Sequence, residues 1–160
     1  MRSLNEITLS ARVSLFGDRK AFDSLVREHQ ESVRRLFLHL SLGDTMLSDD
    51  LAQDTFIKAW TNIGKFGGRS SFKTWLFAIA FRTWADYFRS RHEADDYEEA
   101  YQYGKEARDV GLRMDMLNAM KQLKPIERTC ITLQVIEGMK TDAIADITEM
   151  NASTVRSHIA

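Results

Sequence analysis

The sequence predicts an all-α protein made of two small helical domains joined by an acidic linker. Apolar residues recur at three- and four-residue steps along most of the chain, almost no stretch shows the two-residue alternation of a strand, and there is one proline in 160 residues. An acidic stretch interrupts the periodicity once. The expected organisation is therefore 1–92, a linker over 93–111, and 112–160.

Asp18 is placed to cap a helix whose inner face is Phe22, Leu25, Val26, His29, Val33, Leu36, Phe37 and Leu40, with Gly43-Asp44 ending it. In the next helix Ser48 is the expected cap, putting Asp49 and Asp50 in the first turn, where the positive helix end favours acids. Its inner face reads Leu51, Thr55, Phe56, Ala59, Trp60 and Ile63. Gly64, Gly67 and Gly68 mark a loop, and Ser70 or Ser71 can cap a third helix.

This third helix has more large apolar residues than one core face can use. Phe72, Trp75, Leu76, Ile79, Ala80, Thr83 and Tyr87 form a first stripe. Phe77, Phe81, Trp84 and Phe88 form a second, with Lys73, Arg82, Arg89 and Arg91 between the two. Aromatics interleaved with cations are the material of single-stranded nucleic-acid binding, since rings stack on bases and cations track phosphates. A central helix buried on both faces would carry the same stripes.

Residues 93–99 are acidic and read as a solvated tether. Past them Met114, Leu117, Met120 and Leu123 form a face, and Pro125 opens a helix with Ile126, Cys130, Ile131, Leu133, Val135 and Ile136 inward. The end of the chain reads as a helix-turn-helix: residues 141–147, a short turn, then Asn151 as the cap of a second helix. Ile144, Ile147, Val155 and Ile159 can lock the pair, Ala145 lets the helices approach, and Ser153, Thr154, Arg156 and Ser157 project where a major groove would be met.

The net charge of −1 argues against a uniformly basic nucleic-acid binder, yet cations gather between Arg69 and Arg91 and near Arg156. The longest uncharged apolar run, residues 75–81, is too short to cross a bilayer, and residues 1–16 lack a signal-peptide core, so a cytoplasmic protein is expected. Cys130 stands alone and reads as a small core residue. Nothing points to an enzyme, a metal or a cofactor. Gly64-Lys65 lacks the rest of a phosphate loop, the four histidines are dispersed, and Asp49, Asp50 and Asp54 suit helix stabilisation better than a cation.

Taken in order, these residues resemble the sigma factors of bacterial RNA polymerase, in their extracytoplasmic-function class. The matching text is Asp50-Leu51-Ala52-Gln53-Asp54-Thr55-Phe56 with Trp60, then residues 66–76, Ile79-Ala80 and Asp86-Tyr87. In the second half it is Leu123-Lys124-Pro125 with Glu127-Arg128, Glu137-Gly138, Ile144-Ala145 and Thr154-Val155-Arg156-Ser157. The resemblance implies a region 2 domain that docks on the β′ clamp of core polymerase and recognises and melts the minus-ten element. It implies a region 4 domain that sits on the β flap and reads the minus-thirty-five element. Carried over by position, Asp50, Gln53 and Asp54 would meet the polymerase; Phe66, Gly68, Arg69, Ser70, Ser71, Lys73 and Arg82 the minus-ten DNA; and Asn151, Ser153, Thr154, Arg156 and Ser157 the minus-thirty-five DNA. An anti-sigma factor is the expected inhibitor, holding a compact state with the polymerase face or the recognition helix masked.

Three departures from the family pattern stand out. The cation expected near position 81 lies at Arg82, and Glu149 stands where the turn usually has glycine, so a different turn is expected there. The chain also ends at Ala160, short of the usual basic tail, which implies either a truncation or weakened minus-thirty-five binding. Two rivals draw on fewer of these residues: a helix-turn-helix regulator acting without polymerase, and a pure interaction module.

Overall fold

The computed structural model describes residues 4–94 and 112–160, and every regular element among them is helical. Most of the expected linker, residues 95–111, lies outside the described residues.

The sequence carries no clear periodic signal for α1 (Leu4–Phe16), and its burial shows why. The inward residues are Glu6, Ser10 and Val13, while Leu15 and Phe16 stand in solvent. The next helix, α2 (Arg19–Leu40), starts as expected: the Asp18 carboxylate accepts from the Ala21 amide at 3.1 Å. That bond, then Arg12 at 2.6 Å, holds the Asp18 carboxyl below its ordinary pKa against an opposing effect of burial. At the other end the Gly43 amide returns to the Leu38 carbonyl at 2.7 Å, with buried Leu42 and then Gly43 at positive φ.

The cap of α3 (Thr45–Asn62) is Asp44, not Ser48. Asp44 accepts from the Leu47 amide at 3.0 Å, whereas Ser48 is fully buried and donates to the Asp44 carbonyl at 2.6 Å. Asp49 and Asp50 therefore sit one turn further in, beyond the reach of the helix end. Leu51, Thr55 and Ala59 face inward as expected. Phe56 and Trp60 are half-buried, and Trp60 meets Phe22 of α2 edge-on at 5.0 Å.

A 3₁₀ turn, Ile63–Lys65, and a loop lead to α4 (Phe72–Ala94), where Ser71 Oγ accepts from the Thr74 amide. The first stripe is inward: Phe72, Leu76, Ile79, Ala80 and Thr83 are buried, with Trp75 and Tyr87 half-buried at its edge. The second stripe is inward in part, with Phe81 and Phe88 half-buried. Phe77 is 0% exposed and Trp84 8%, and both belong to a hydrophobic cluster shared with Cys130, Leu133, Ile144, Ile147 and Val155 of the C-terminal half.

That half is α5 (Leu112–Lys121), α6 (Pro125–Ile131) continued by a π turn (Thr132–Ile136), α7 (Thr141–Thr148) and α8 (Ala152–Ile159). Pro125 opens α6 as expected, with Glu127 returning to the Lys124 amide at 3.0 Å. The π turn adds backbone to the helix and rotates its face. Val135, expected inward, is 71% exposed, while Thr132 and Leu133 are buried. Ile144, Ile147 and Val155 lock α7 to α8. The turn between them places Glu149 at φ 60° and ψ 25°, the left-handed conformation that glycine adopts most readily. The pair packs through α7 onto α4, and α6 meets α2, so both halves close over one core.

Candidate nucleic-acid interface

The loop over residues 66–71 is built on an aromatic cluster. Phe66 packs against Phe72 at 5.8 Å and edge-on to Trp75 at 5.3 Å, which fixes the loop's start. Gly68 takes φ +72°, and a Cβ at Gly67 or Gly68 would meet nothing within 4 Å, so the backbone faces open space. Arg69 is exposed; Ser70 and Ser71 are half-buried, with Ser70 Oγ donating to the Ser71 carbonyl. These residues and Lys73 come together around the start of α4. Arg82 does not join them. It is exposed, and at about 100° per residue it lies roughly 180° around the helix from Lys73.

Lys73 is engaged rather than displayed. Its Nζ lies 3.2 Å from Glu137 Oε2 and 5.4 Å above the Phe77 ring centre. The Glu137 side chain is 0% exposed and also accepts two bonds from Arg35, at 2.8 and 3.2 Å. The Glu137 hydrogen bond, offset in part by burial, raises the Arg35 pKa above its ordinary value. Nearby, Arg128 caps its own half through the Met120 and Leu123 carbonyls and reaches across to the Leu40 carbonyl at 3.3 Å. Beside this clasp Phe81, Trp84 and Phe88 line a cleft of about 430 Å³ whose other wall is Pro125, Ile126 and Thr129. The second aromatic stripe is therefore divided: Phe77 and Trp84 are buried, while Phe81 and Phe88 are half-buried along the cleft.

Sequence reasoning missed Arg35, Arg128 and Glu137 as a group. Arg128 and Glu137 were legible only as family text, and Arg35 as one charge beside an apolar face.

On α8 the cap is as expected. Asn151 Oδ1 accepts from the Thr154 amide at 2.8 Å and from Thr154 Oγ1 at 2.9 Å, which commits both side chains to the helix start. Ser153, Arg156 and Ser157 are exposed at three- and four-residue spacing and form one polar edge, with Ser157 Oγ bonded to the Ser153 carbonyl.

Asp50, Gln53 and Asp54 are all exposed on one side of α3, together with Met46 and Ile57, which are 79% and 57% exposed. Beside them α2 and α3 form a groove of about 840 Å³, lined by Phe22, Val26, Ala52, Gln53, Phe56 and Trp60. The compact arrangement thus leaves the acidic face of α3 and the polar edge of α8 exposed, and buries Phe77 and Trp84 of the α4 stripe.

His29 has a carboxylate partner that the sequence did not suggest: Glu6 Oε1 lies 2.8 Å from its Nε2, both side chains buried. With Glu28 these groups are close enough to be considered for an ion, their ligand atoms lying within 4.8 Å. The direct bond satisfies the buried pair without one. Among the described residues no helix is long and apolar enough to cross a membrane.

Two helical halves, one ending in a helix-turn-helix and the other carrying an arginine-bearing loop, have the layout of a DNA-binding protein. Residues 25–94 match the family model for sigma-70 region 2, and residues 113–160 the model for sigma-70, region 4. The chain is 33% identical over 161 residues to the ECF RNA polymerase sigma-E factor of Haemophilus influenzae, covering 89% of this chain and 84% of that one. It is 31% identical over 160 residues to the RNA polymerase sigma-H factor of Pseudomonas aeruginosa, covering 89% and 82%. The sigma factor RpoE of Bartonella quintana, solved with the anti-sigma factor NepR, superposes with a TM-score of 0.73 at 26% identity over 88% of this chain and 90% of that one. The chain belongs to the sigma-70 family of RNA polymerase sigma factors, in its extracytoplasmic-function class. This is a family of transcription regulators rather than enzymes.

Proposed function

We propose that this chain directs core RNA polymerase in the cytoplasm to a set of promoters and opens them by binding alone, without a chemical step. The observation that carries the reading is the pairing of two separate exposed surfaces, each at the place the family uses, on one small chain. Asp50, Gln53 and Asp54, with exposed Met46 and Ile57, make an acidic and apolar face suited to the basic β′ clamp. The loop of Phe66, Gly68, Arg69, Ser70 and Ser71, with Lys73, receives an extruded minus-ten base, and the binding of that base offsets the few kcal/mol of unstacking. Arg82, on the other side of α4, touches a different stretch of DNA backbone. At the minus-thirty-five element Ser153, Arg156 and Ser157 enter the major groove, while Asn151 and Thr154 chiefly fix the helix start, and the C-terminal half rests on the β flap.

The compact arrangement is the inactive one in this reading, because it holds Lys73 on Glu137 and covers the α4 stripe. An anti-sigma factor would favour it by laying a helix in the groove between α2 and α3, next to the polymerase face. That the matched Bartonella quintana protein was solved with an anti-sigma factor supports this.

The test is to add the purified chain to core polymerase and follow the mixture by gel filtration and by run-off transcription on a genomic promoter library. A stable complex that initiates at a defined promoter set is expected. A chain that binds promoter DNA equally well with and without core, and forms no complex with it, would instead favour the regulator acting without polymerase.

A further inference from the structure

The cavity beside the loop over residues 66–71 has a wall that the loop does not supply. It measures about 300 Å³, and α1 closes it with Ile7, Ala11 and Leu15, and with Glu6, Ser10 and Ser14 beside them, opposite Phe66, Gly67, Gly68 and Ser70. The orientation of α1 is unusual. It buries a carboxylate and a hydroxyl at Glu6 and Ser10 while Ile7 is 48% and Leu15 74% exposed, the reverse of what core burial favours. The inward side is accounted for by the Glu6–His29 bond at 2.8 Å, with the His29 ring 5.3 Å from that of Phe72. The outward side is not accounted for by packing within the chain.

Ile7, Ala11 and Leu15 recur at four-residue steps, so they form a strip along one side of α1. Opposite that strip stand an aromatic ring and the backbone of Gly67 and Gly68, above which lies open space. The volume is at the small end for ligand sites, enough for one flat ring system and too little for a peptide helix. Flat, apolar-faced and edged with polar groups describes an unstacked nucleobase, which enzymes and binding proteins hold between aromatic and apolar side chains.

We infer that α1 forms the outer wall of the pocket that takes the unpaired promoter base, with Ile7, Ala11 and Leu15 against the face of that base. Glu6 is a positioning residue, holding α1 in place through His29. Ala11 sets the depth of the pocket because its side chain is the smallest on the strip. The inference rests on the promoter reading of the loop given above.

The experiment uses the complex of the full chain with core polymerase and a pool of short single-stranded DNA of randomised sequence. Bound molecules are sequenced for the unaltered chain and for Ala11→Leu, Leu15→Ala and Arg69→Ala, all at exposed positions. Circular dichroism checks that each variant retains its helices. Ala11→Leu should weaken binding of the preferred sequences about tenfold, the worth of a stacked base. It should also change the base preferred at one position of the site, and Leu15→Ala should relax preference at that same position. Unchanged profiles for both α1 variants, or a uniform loss with no position singled out, would overturn the inference while a loss with Arg69→Ala kept the promoter reading of the loop. If Arg69→Ala also bound like the unaltered chain, the promoter reading would fail and the inference with it.

Discussion

The polar edge of α8 and the second stripe of α4 stand in opposite conditions within one molecule. The polar edge of α8 is open, with Ser153, Arg156 and Ser157 all exposed, whereas at α4 Phe77 and Trp84 are buried under the C-terminal half and Lys73 is held by Glu137. The difference follows from residue type. A short polar helix edge costs little when left in water, but a second aromatic stripe on α4 is a large apolar surface that the chain covers with its own second half when no DNA or polymerase does so. Compaction therefore buries Phe77 and Trp84 and engages Lys73, and leaves the α8 edge, the α3 face and Arg69 of the loop exposed.

The comparison is broken most severely at Phe77. Phe77→Ala should cost roughly 3–5 kcal/mol in denaturant unfolding, as for a large buried aromatic, while Arg156→Ala on α8 should stay within about ±0.5 kcal/mol. Equal small effects would mean that the stripe is not covered in solution.

Next in size is the clasp. Glu137→Gln keeps the shape but removes the charge that faces Arg35 and Lys73, and should weaken closure by about 2 kcal/mol, the worth of hydrogen bonds to a charged group. Small-angle scattering should then show a larger radius of gyration, and permanganate footprinting more promoter opening per polymerase. An unaltered radius would assign Glu137 no part in closure.

On the open side, reversing Asp50 and Asp54 to lysine should lower affinity for core polymerase about tenfold or more with helical content unchanged, since complementary charge is lost but no core residue is. Undiminished binding would remove this face from the account.

Smaller still is the effect at the turn before α8. Glu149→Gly should raise stability by up to about 1 kcal/mol, because a side chain at φ 60° is disfavoured. A calorimetric melt would detect it. At Cys130, 0% exposed and with its pKa pushed up by burial to about 11, thiol reagents should label the folded protein far more slowly than the unfolded chain.

Much of this was legible in the sequence, and the exceptions have physical causes. Asp18, Pro125 and Asn151 begin their helices as read, and Ser71 is the one of the two serines that caps α4, because capping is a local interaction between neighbours. Ser48 misled because Asp44, four residues earlier, is an equally good cap, and only tertiary burial shows which one the helix uses. Val135 misled because a π turn breaks the helical period without a sequence sign. The largest omission was α1, whose buried side mixes Glu6 and Ser10 with Val13 and so gives no clear stripe; its anchor, Glu6 to His29, spans 23 residues. The loop and α8 residues were readable one by one, but Lys73 engaged by Glu137 from the other half was not, since that meeting depends on how the halves pack.

The covered state of the α4 stripe is the central claim, and side-chain hydroxyl-radical footprinting tests it most directly. In the free chain Phe77 and Trp84 should react slowly, and on addition of core polymerase their reactivity should rise as the halves separate, while reactivity at His158 on α8 changes little. Rapid reaction of Phe77 and Trp84 in the free chain, or the same protection before and after polymerase binds, would contradict the account.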